Sequence, residues 1–284
     1  MRLFIFGVIV FHISFSCFSK EQINWLSANF PPVMELNDQE VPVGGYVKKQ
    51  MDIIFQEMEG FEHTYIKMTW ARAWASIKSG YPVCHTMAAK TPEREQYAYF
   101  SIPKEVTTLN AIIMSRDMAK RLSYPQSISL SQLLQNGEFK GVLQNERSYL
   151  PFIDKLLATY EKRVRIERVA TRSHQLLQML SRKRIDYFID FPAVIGFSAK
   201  KYDINEEQFF ISRIEGAPSY DFSYFACPKN EWGKKIINRL NQIIKQYAPT
   251  TIWLNIYKES LPRRYRPYIE KVYREEYVPL VLSN

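Results

Sequence analysis

Apolar positions along the chain alternate between two periods. Short runs rich in apolar and β-branched residues, INWLSANF (23–30), TYIKMTW (64–70) and PVCHTM (82–87), predict strands. Between them, VKKQMDIIFQEM (47–58) places Val47, Met51, Ile54, Phe55 and Met58 on one helical face. ARAWASIKSG predicts a short helix closed by Gly80, a residue suited to a C-terminal cap. A second set follows. LNAIIMS (109–115), GVLQ (141–144), VRIERVA (164–170), IDYFID (185–190) and FSYFACP (222–228) predict strands. LSQLLQNG (130–137), YLPFIDKLLATYEK (149–162) and SHQLLQMLSRK (173–183) predict helices. The long segment EWGKKIINRLNQIIKQY (231–247) gathers Trp232, Ile236, Leu240, Ile243 and Ile244 on one side. Strands alternating with helices imply an α/β architecture with parallel pairing. The two sets, with the C-terminal helices returning to the first, predict two lobes.

The first residues follow a different pattern. MRLFIFGVIVFHISFSCFSK carries one cation, Arg2, and then an apolar run of about 16 residues, short of the roughly 20 that span a bilayer. Small residues at Cys17 and Ser19 allow cleavage before Lys20, so residues 1–19 read as a secretory signal peptide, with a retained anchor as the alternative. Past that point no apolar run is long enough to span a membrane. Two cysteines remain, Cys84 and Cys227. Export permits a disulfide, but two cysteines make no framework, and the expectation is a pair of buried free thiols.

The formal charge of +9 suggests an anionic partner or environment. The basic residues are scattered, however, and the densest cluster, RRYRPY (263–268), comes with no zinc-finger spacing or RNA-binding aromatic motif, so nucleic acid is not the expected partner. Aromatics at 14% fit either a lined cleft or an aromatic core.

No catalytic constellation emerges. His63, His85 and His174 are far apart, and HExxH, CxxC, GxSxG and phosphate-cradling glycine loops are missing. Cys84 and His85 are strand neighbours, so their side chains point to opposite faces and make poor joint ligands for a metal. Asp186 and Asp190 are formally a carboxylate pair, but such residues more often solvate or cap a strand end.

Two segments resemble the bacterial periplasmic solute-binding proteins of the polar amino-acid type (family 3). NWLSANFPPVMELN…GGYVKKQMDIIFQEM resembles the family's opening: a strand, an aromatic-Pro-Pro turn, a glycine and a helix. TWARAWASIKSGYPVCHTMAAKTPEREQYAYFSIP resembles its central signature, a strand leading to a T-x-E-R turn and an aromatic-Phe-Ser segment. GVLQNERSY and LLQMLSRKRIDYFID match more loosely. The resemblance implies a type II Venus flytrap of two lobes, each a mixed sheet flanked by helices, with residues 20–107 plus 229–284 in lobe 1 and 108–228 in lobe 2. It implies a monomeric, exported, periplasmic, non-enzymatic protein that needs no cofactor. Such a protein captures a small ligand between its lobes and passes it to the permease of an ABC transporter. The alternatives are an extracytoplasmic sensor on the same fold or a flytrap-fold enzyme.

The resemblance also assigns positions. Arg94 matches the arginine that pairs with a ligand carboxylate, a task suited to a planar guanidinium; the plain alternative is a surface arginine paired with Glu93 or Glu95. Phe30 and Trp70, at predicted strand ends, match walls around a ligand side chain. Asn145, Glu146, Arg147 and Ser148 fall at a predicted helix start, where free N–H groups favour anions, or where Ser148 simply caps. Asp190 matches the acid that receives a ligand amine, one residue early, with Phe191 in the expected place. Where the family often has hydroxyl residues before the turn, this chain has Met87, Ala88 and Ala89, with Met87 facing the site. That thins the grip on an α-amino group and points to an acid other than a standard amino acid.

Overall fold

The computed structural model describes residues 20–145, 147–160 and 167–284; the expected signal segment and Glu146 lie outside the described residues. Two six-stranded sheets form the two lobes. The first runs in the order 61–67, 21–27, 83–88, 220–228, 98–100, with 105–108 also pairing to 220–228. The second runs 167–169, 141–144, 187–190, 111–115, 209–214, 127–128.

In each sheet the early strands pair in parallel, as helical connections require: 21–27 with 61–67 and 83–88, and 141–144 with 167–169 and 187–190. The expected parallel pairing is incomplete, because strands crossing between the lobes pair antiparallel. Ala111–Ser115 runs against both Tyr187–Asp190 and Phe209–Ile214, and Tyr220–Pro228 runs against 83–88, 98–100 and 105–108. Sequence counted 222–228 with the second lobe; its pairing puts the strand in the first sheet. The chain crosses between sheets twice, after Glu105–Thr108 and before Tyr220–Pro228, and these two adjacent strands floor the cleft.

Local chemistry explains the elements around that cleft. Glu21–Ser27 is buried continuously from Ile23, as suits a strand flanked on both sides. The helix Tyr46–Glu57 starts after Gly45, whose φ of 96° and close approach to Val33 O, 2.4 Å from where a Cβ would sit, exclude any side chain. Thr69 caps Trp70–Lys78 by accepting Arg72 N–H at 3.3 Å. In TPER, Thr91 caps the single turn Pro92–Glu95 by accepting Arg94 N–H at 3.3 Å, with proline at the first helical position. The resembling motif is therefore a capped helical turn that fixes the backbone of Arg94.

Cys84 and Cys227 are not free thiols: they form a disulfide, with Sγ atoms 2.04 Å apart and Cα atoms 4.4 Å apart. They lie on the neighbouring strands 83–88 and 220–228, and this adjacency of residues 143 apart is what sequence could not show. The core of the first lobe includes Trp25, Ile54, Phe225 and Leu240, together with Trp253, Tyr273 and Tyr277 from the C-terminal helices.

Candidate functional site

A cavity of about 250 Å³ opens between the lobes. The first lobe contributes Phe30, Tyr46, Met87 and Ala89, and the second contributes Leu150, Phe191 and Val194. The crossing strands supply Thr107, Thr108, Asp221 and Ser223 to its floor, and Tyr257 reaches in from the C-terminal segment. The lining is mainly aromatic and aliphatic, and Asp221 is its one charged residue.

The polar floor is organised from behind. Lys104 and Glu105, both buried, sit 3.1 Å apart. Glu105 also receives Ser223 Oγ at 2.9 Å and Gln50 Nε2 at 2.7 Å, while Lys104 donates to Thr86 O at 3.1 Å. A buried charge pair persists only when its remaining hydrogen-bonding capacity is met, and these partners meet it. Burial pushes the Lys104 ammonium down from its ordinary value. Tyr257 Oη accepts Thr108 N–H at 2.7 Å and lies 2.9 Å from Thr108 Oγ1. Tyr46 Oη donates to Met87 Sδ at 3.3 Å, and burial raises its pKa well above the usual tyrosine value.

Of the positions taken from sequence, Phe30 and Met87 line this cavity. Phe30 is not at a strand end: the strand stops at Ser27, and Phe30 sits in a turn bridged to Met34, 44% exposed. Trp70 is likewise not on a strand. It is the first residue of a helix, 44% exposed, stacked on His85 at 5.1 Å and outside the cavity lining. Trp74, missed in the sequence, covers the other contact of His85, also at 5.1 Å. Burial, then the charges of Arg94 and Lys104, push His85 down to about 3, so the ring is neutral, and its Nδ1 accepts Met87 N–H at 3.1 Å.

Arg94 lies beside the cavity lining. Its guanidinium stacks 4.2 Å above Trp74 and donates from Nη1 to the carbonyl of Ala89, itself a lining residue, at 2.8 Å. It forms no ion pair with Glu93 or Glu95; Glu95 pairs instead with Lys90 at 2.9 Å. The surface-pair alternative for Arg94 is therefore not what the structure shows.

The second-lobe positions are arranged differently from the expectation. The helix begins at Pro151, two residues later than expected, so Asn145, Arg147 and Ser148 do not form its start. Asn145 N–H is spent on Val169 O at 3.0 Å. Ser148 does not cap: its hydroxyl donates to Asp154 Oδ2 at 2.5 Å, and Asp154 Oδ1 accepts Tyr149 N–H at 2.8 Å. Arg147 turns back to Asp190, Nη2 to Oδ1 at 2.7 Å, and bonds Gln144 and Asn110 while lying between the rings of Tyr149 and Phe191 at 5.0 and 5.3 Å. Asp190 is fully buried and lines no part of the cavity. Phe191, one residue on, does line it. Leu150 lines it too, with φ 81°, a left-handed conformation that leucine rarely adopts and that tends to occur at functional sites.

Sequence reasoning missed Tyr46, Thr108, Ser223 and Tyr257. GGY, with the tyrosine directly after a glycine that admits no Cβ, was the one available signal, for Tyr46. Asp186 and Asp190 do not act together. Asp186 lies just before the strand Tyr187–Asp190, whose last residue is Asp190, and Asp186 Oδ2 accepts Lys140 N–H at 2.8 Å. Among the described residues no His, Cys, Asp and Glu group has metal-ligand geometry, and no helix is long and apolar enough to cross a membrane.

No family model matches the chain, and no curated protein matches it. Solved structures do. An ancestral cationic amino-acid solute-binding protein has a TM-score of 0.65 at 15% identity, covering 85% of this chain and 96% of that one. A polar amino-acid ABC uptake transporter substrate-binding protein from Streptococcus thermophilus has 0.64 at 17%, covering 90% and 92%. An ancestral cyclohexadienyl dehydratase has 0.51 at 14%, covering 84% and 91%. What is shared at these identities is the two-lobed fold.

Proposed function

We propose that the protein is an exported solute-binding protein that captures a small carboxylate-bearing ligand between its lobes and delivers it to a membrane permease. The observation that carries this is the contrast between Arg94, beside the cavity lining, and Asp190, buried outside it. Arg94 is held in place by Trp74 and Ala89 O with no carboxylate partner among the described residues, whereas Asp190, the expected receiver of an amine, is already neutralised by Arg147. A guanidinium in want of an anion beside an aromatic cavity suits an acid with an apolar body and no α-amino group. The Cys84–Cys227 disulfide supports an oxidising, exported setting. The neighbours named for solute and amino-acid binding support the class of activity.

The exposed Asp221 on the cavity floor favours a second reading, a ligand whose cationic head pairs with that carboxylate. Catalysis on this fold, the activity for which the ancestral cyclohexadienyl dehydratase is named, would require an acid or base at the cavity. Asp221 is the one carboxylate in that lining, and no histidine, lysine or second carboxylate accompanies it there. A thermal-shift screen of organic acids, amino acids, peptides, amines and sugars tests the proposal, since a bound ligand raises the melting temperature by mass action. Hits among acids that vanish in Arg94→Ala support it. Hits among amines that vanish in Asp221→Asn replace it with the second reading.

A further inference from the structure

The C-terminal segment contacts both lobes. After the long helix Glu231–Tyr247 the chain forms the short helices Ile252–Lys258, Arg266–Val272 and Val278–Ser283. On the first-lobe side Trp253, Ile269, Tyr273 and Tyr277 are buried in the core, and Tyr277 Oη donates to Lys104 O at 2.5 Å, at the start of a crossing strand. Tyr257 binds Thr108 on that same strand and meets Tyr46 edge-on at 4.9 Å.

The same segment then grips the second lobe. A Cβ on Gly196, within helix Pro192–Lys201, would sit 2.4 Å from Ser260 O and 2.6 Å from Pro262 N. Helix and segment therefore touch backbone to backbone, with Ser260 and Leu261 buried. Around this contact Glu206 Oε2 accepts Arg263 N–H at 2.8 Å, and Arg264 pairs with Glu207 at 2.6 Å. The Arg213 guanidinium lies 5.0 Å over the Tyr268 ring, and Tyr268 hydrogen-bonds Ser219. Exposed ion pairs alone are weak. A close-packed contact differs in kind: it does not deform continuously and must either hold or release.

We propose that residues 260–268 form an interlobe clasp that holds the lobes at one angle before ligand arrives, so that the cavity is preformed and hinge opening requires the clasp to let go. This is independent of what the cavity binds. It differs from free hinge motion, in which two lobes joined only by crossing strands sample open and closed angles and ligand selects the closed one.

The test needs no ligand. Spin labels at Asn238→Cys on the long first-lobe helix and Lys155→Cys in the second lobe, in a Cys17→Ser background, report the interlobe distance by pulsed electron resonance; both positions are exposed, and Cys84 and Cys227 are bonded to each other. The ligand-free protein is expected to give one narrow distance. Gly196→Val, which forces Ser260–Pro262 away, is expected to broaden and lengthen it. Arg264→Glu combined with Tyr268→Ala leaves the Gly196 packing untouched and serves if the first variant does not fold; it too is expected to broaden the distribution. A native distribution that is already broad or two-peaked overturns the clasp, as does a narrow one that a folded clasp variant leaves unchanged.

Discussion

Arg147 neutralises Asp190: Nη2 lies 2.7 Å from Oδ1 of a carboxylate with no exposed surface. Phe191 N–H shares that oxygen at 2.8 Å, and Oδ2 has no hydrogen-bond partner among the described residues. Removing one member of such a pair strands the other charge in a low-dielectric site. Arg147→Leu is expected to cost about 3–5 kcal/mol, and adding Asp190→Asn should recover most of it. Urea denaturation of both variants measures this. A loss in Arg147→Leu no larger than about 0.5 kcal/mol, the scale of an ordinary surface change, would mean that Asp190 does not depend on Arg147.

The disulfide closes a long loop across the first sheet, joining residues 143 apart. Cys84→Ala with Cys227→Ala is expected to lower stability by about 2–5 kcal/mol, mainly by freeing the unfolded chain. Equal denaturation midpoints for native and double-variant protein would contradict this.

His85 titrates at about 3 in the folded protein, for burial first and then the nearby charges of Arg94 and Lys104, against roughly 6.5 when unfolded. Between these values the unfolded chain binds the extra proton, so stability is lost as pH falls through that window. His85→Asn, which keeps an acceptor for Met87 N–H, should lose less melting temperature than native protein on going from about pH 7 to about pH 4. Equal losses would mean that His85 makes no contribution to acid sensitivity.

Gly45 combines φ 96° with no room for a side chain. Gly45→Ala should therefore destabilise by at least about 1–3 kcal/mol, the scale of a strained backbone residue, and displace Tyr46 from the cavity. An unchanged melting temperature would show that the turn 30–45 adjusts freely.

The layered α/β pattern was legible because it depends on local periodicity: the helix at 231–247 and the strand at 141–144 match the structure residue for residue. The Thr91–Arg94 turn was legible because its cap is local. What sequence hid is what long-range packing decides. Tyr220–Pro228 joins the first sheet by antiparallel pairing, and that pairing brings Cys227 to Cys84. Asp190 and Arg147 looked like two free ligand groups because nothing local says that they meet. Tyr257, remote from every motif, reaches the cavity only because the C-terminal segment folds back. Trp70 was misplaced at a strand end because Thr69 caps a helix that begins at Trp70.

The most direct test of the carboxylate proposal is a matched ligand series on one apolar body: 3-phenylpropanoate, phenylalanine and phenethylamine, each titrated calorimetrically into native protein and Arg94→Ala. The account predicts that the acid without an amine binds native protein at least as well as the amino acid, that the amine alone does not bind, and that Arg94→Ala weakens the acid by at least about tenfold, roughly 1.4 kcal/mol. Binding of the amine alone, or equal affinity for the acid in native protein and Arg94→Ala, would contradict it.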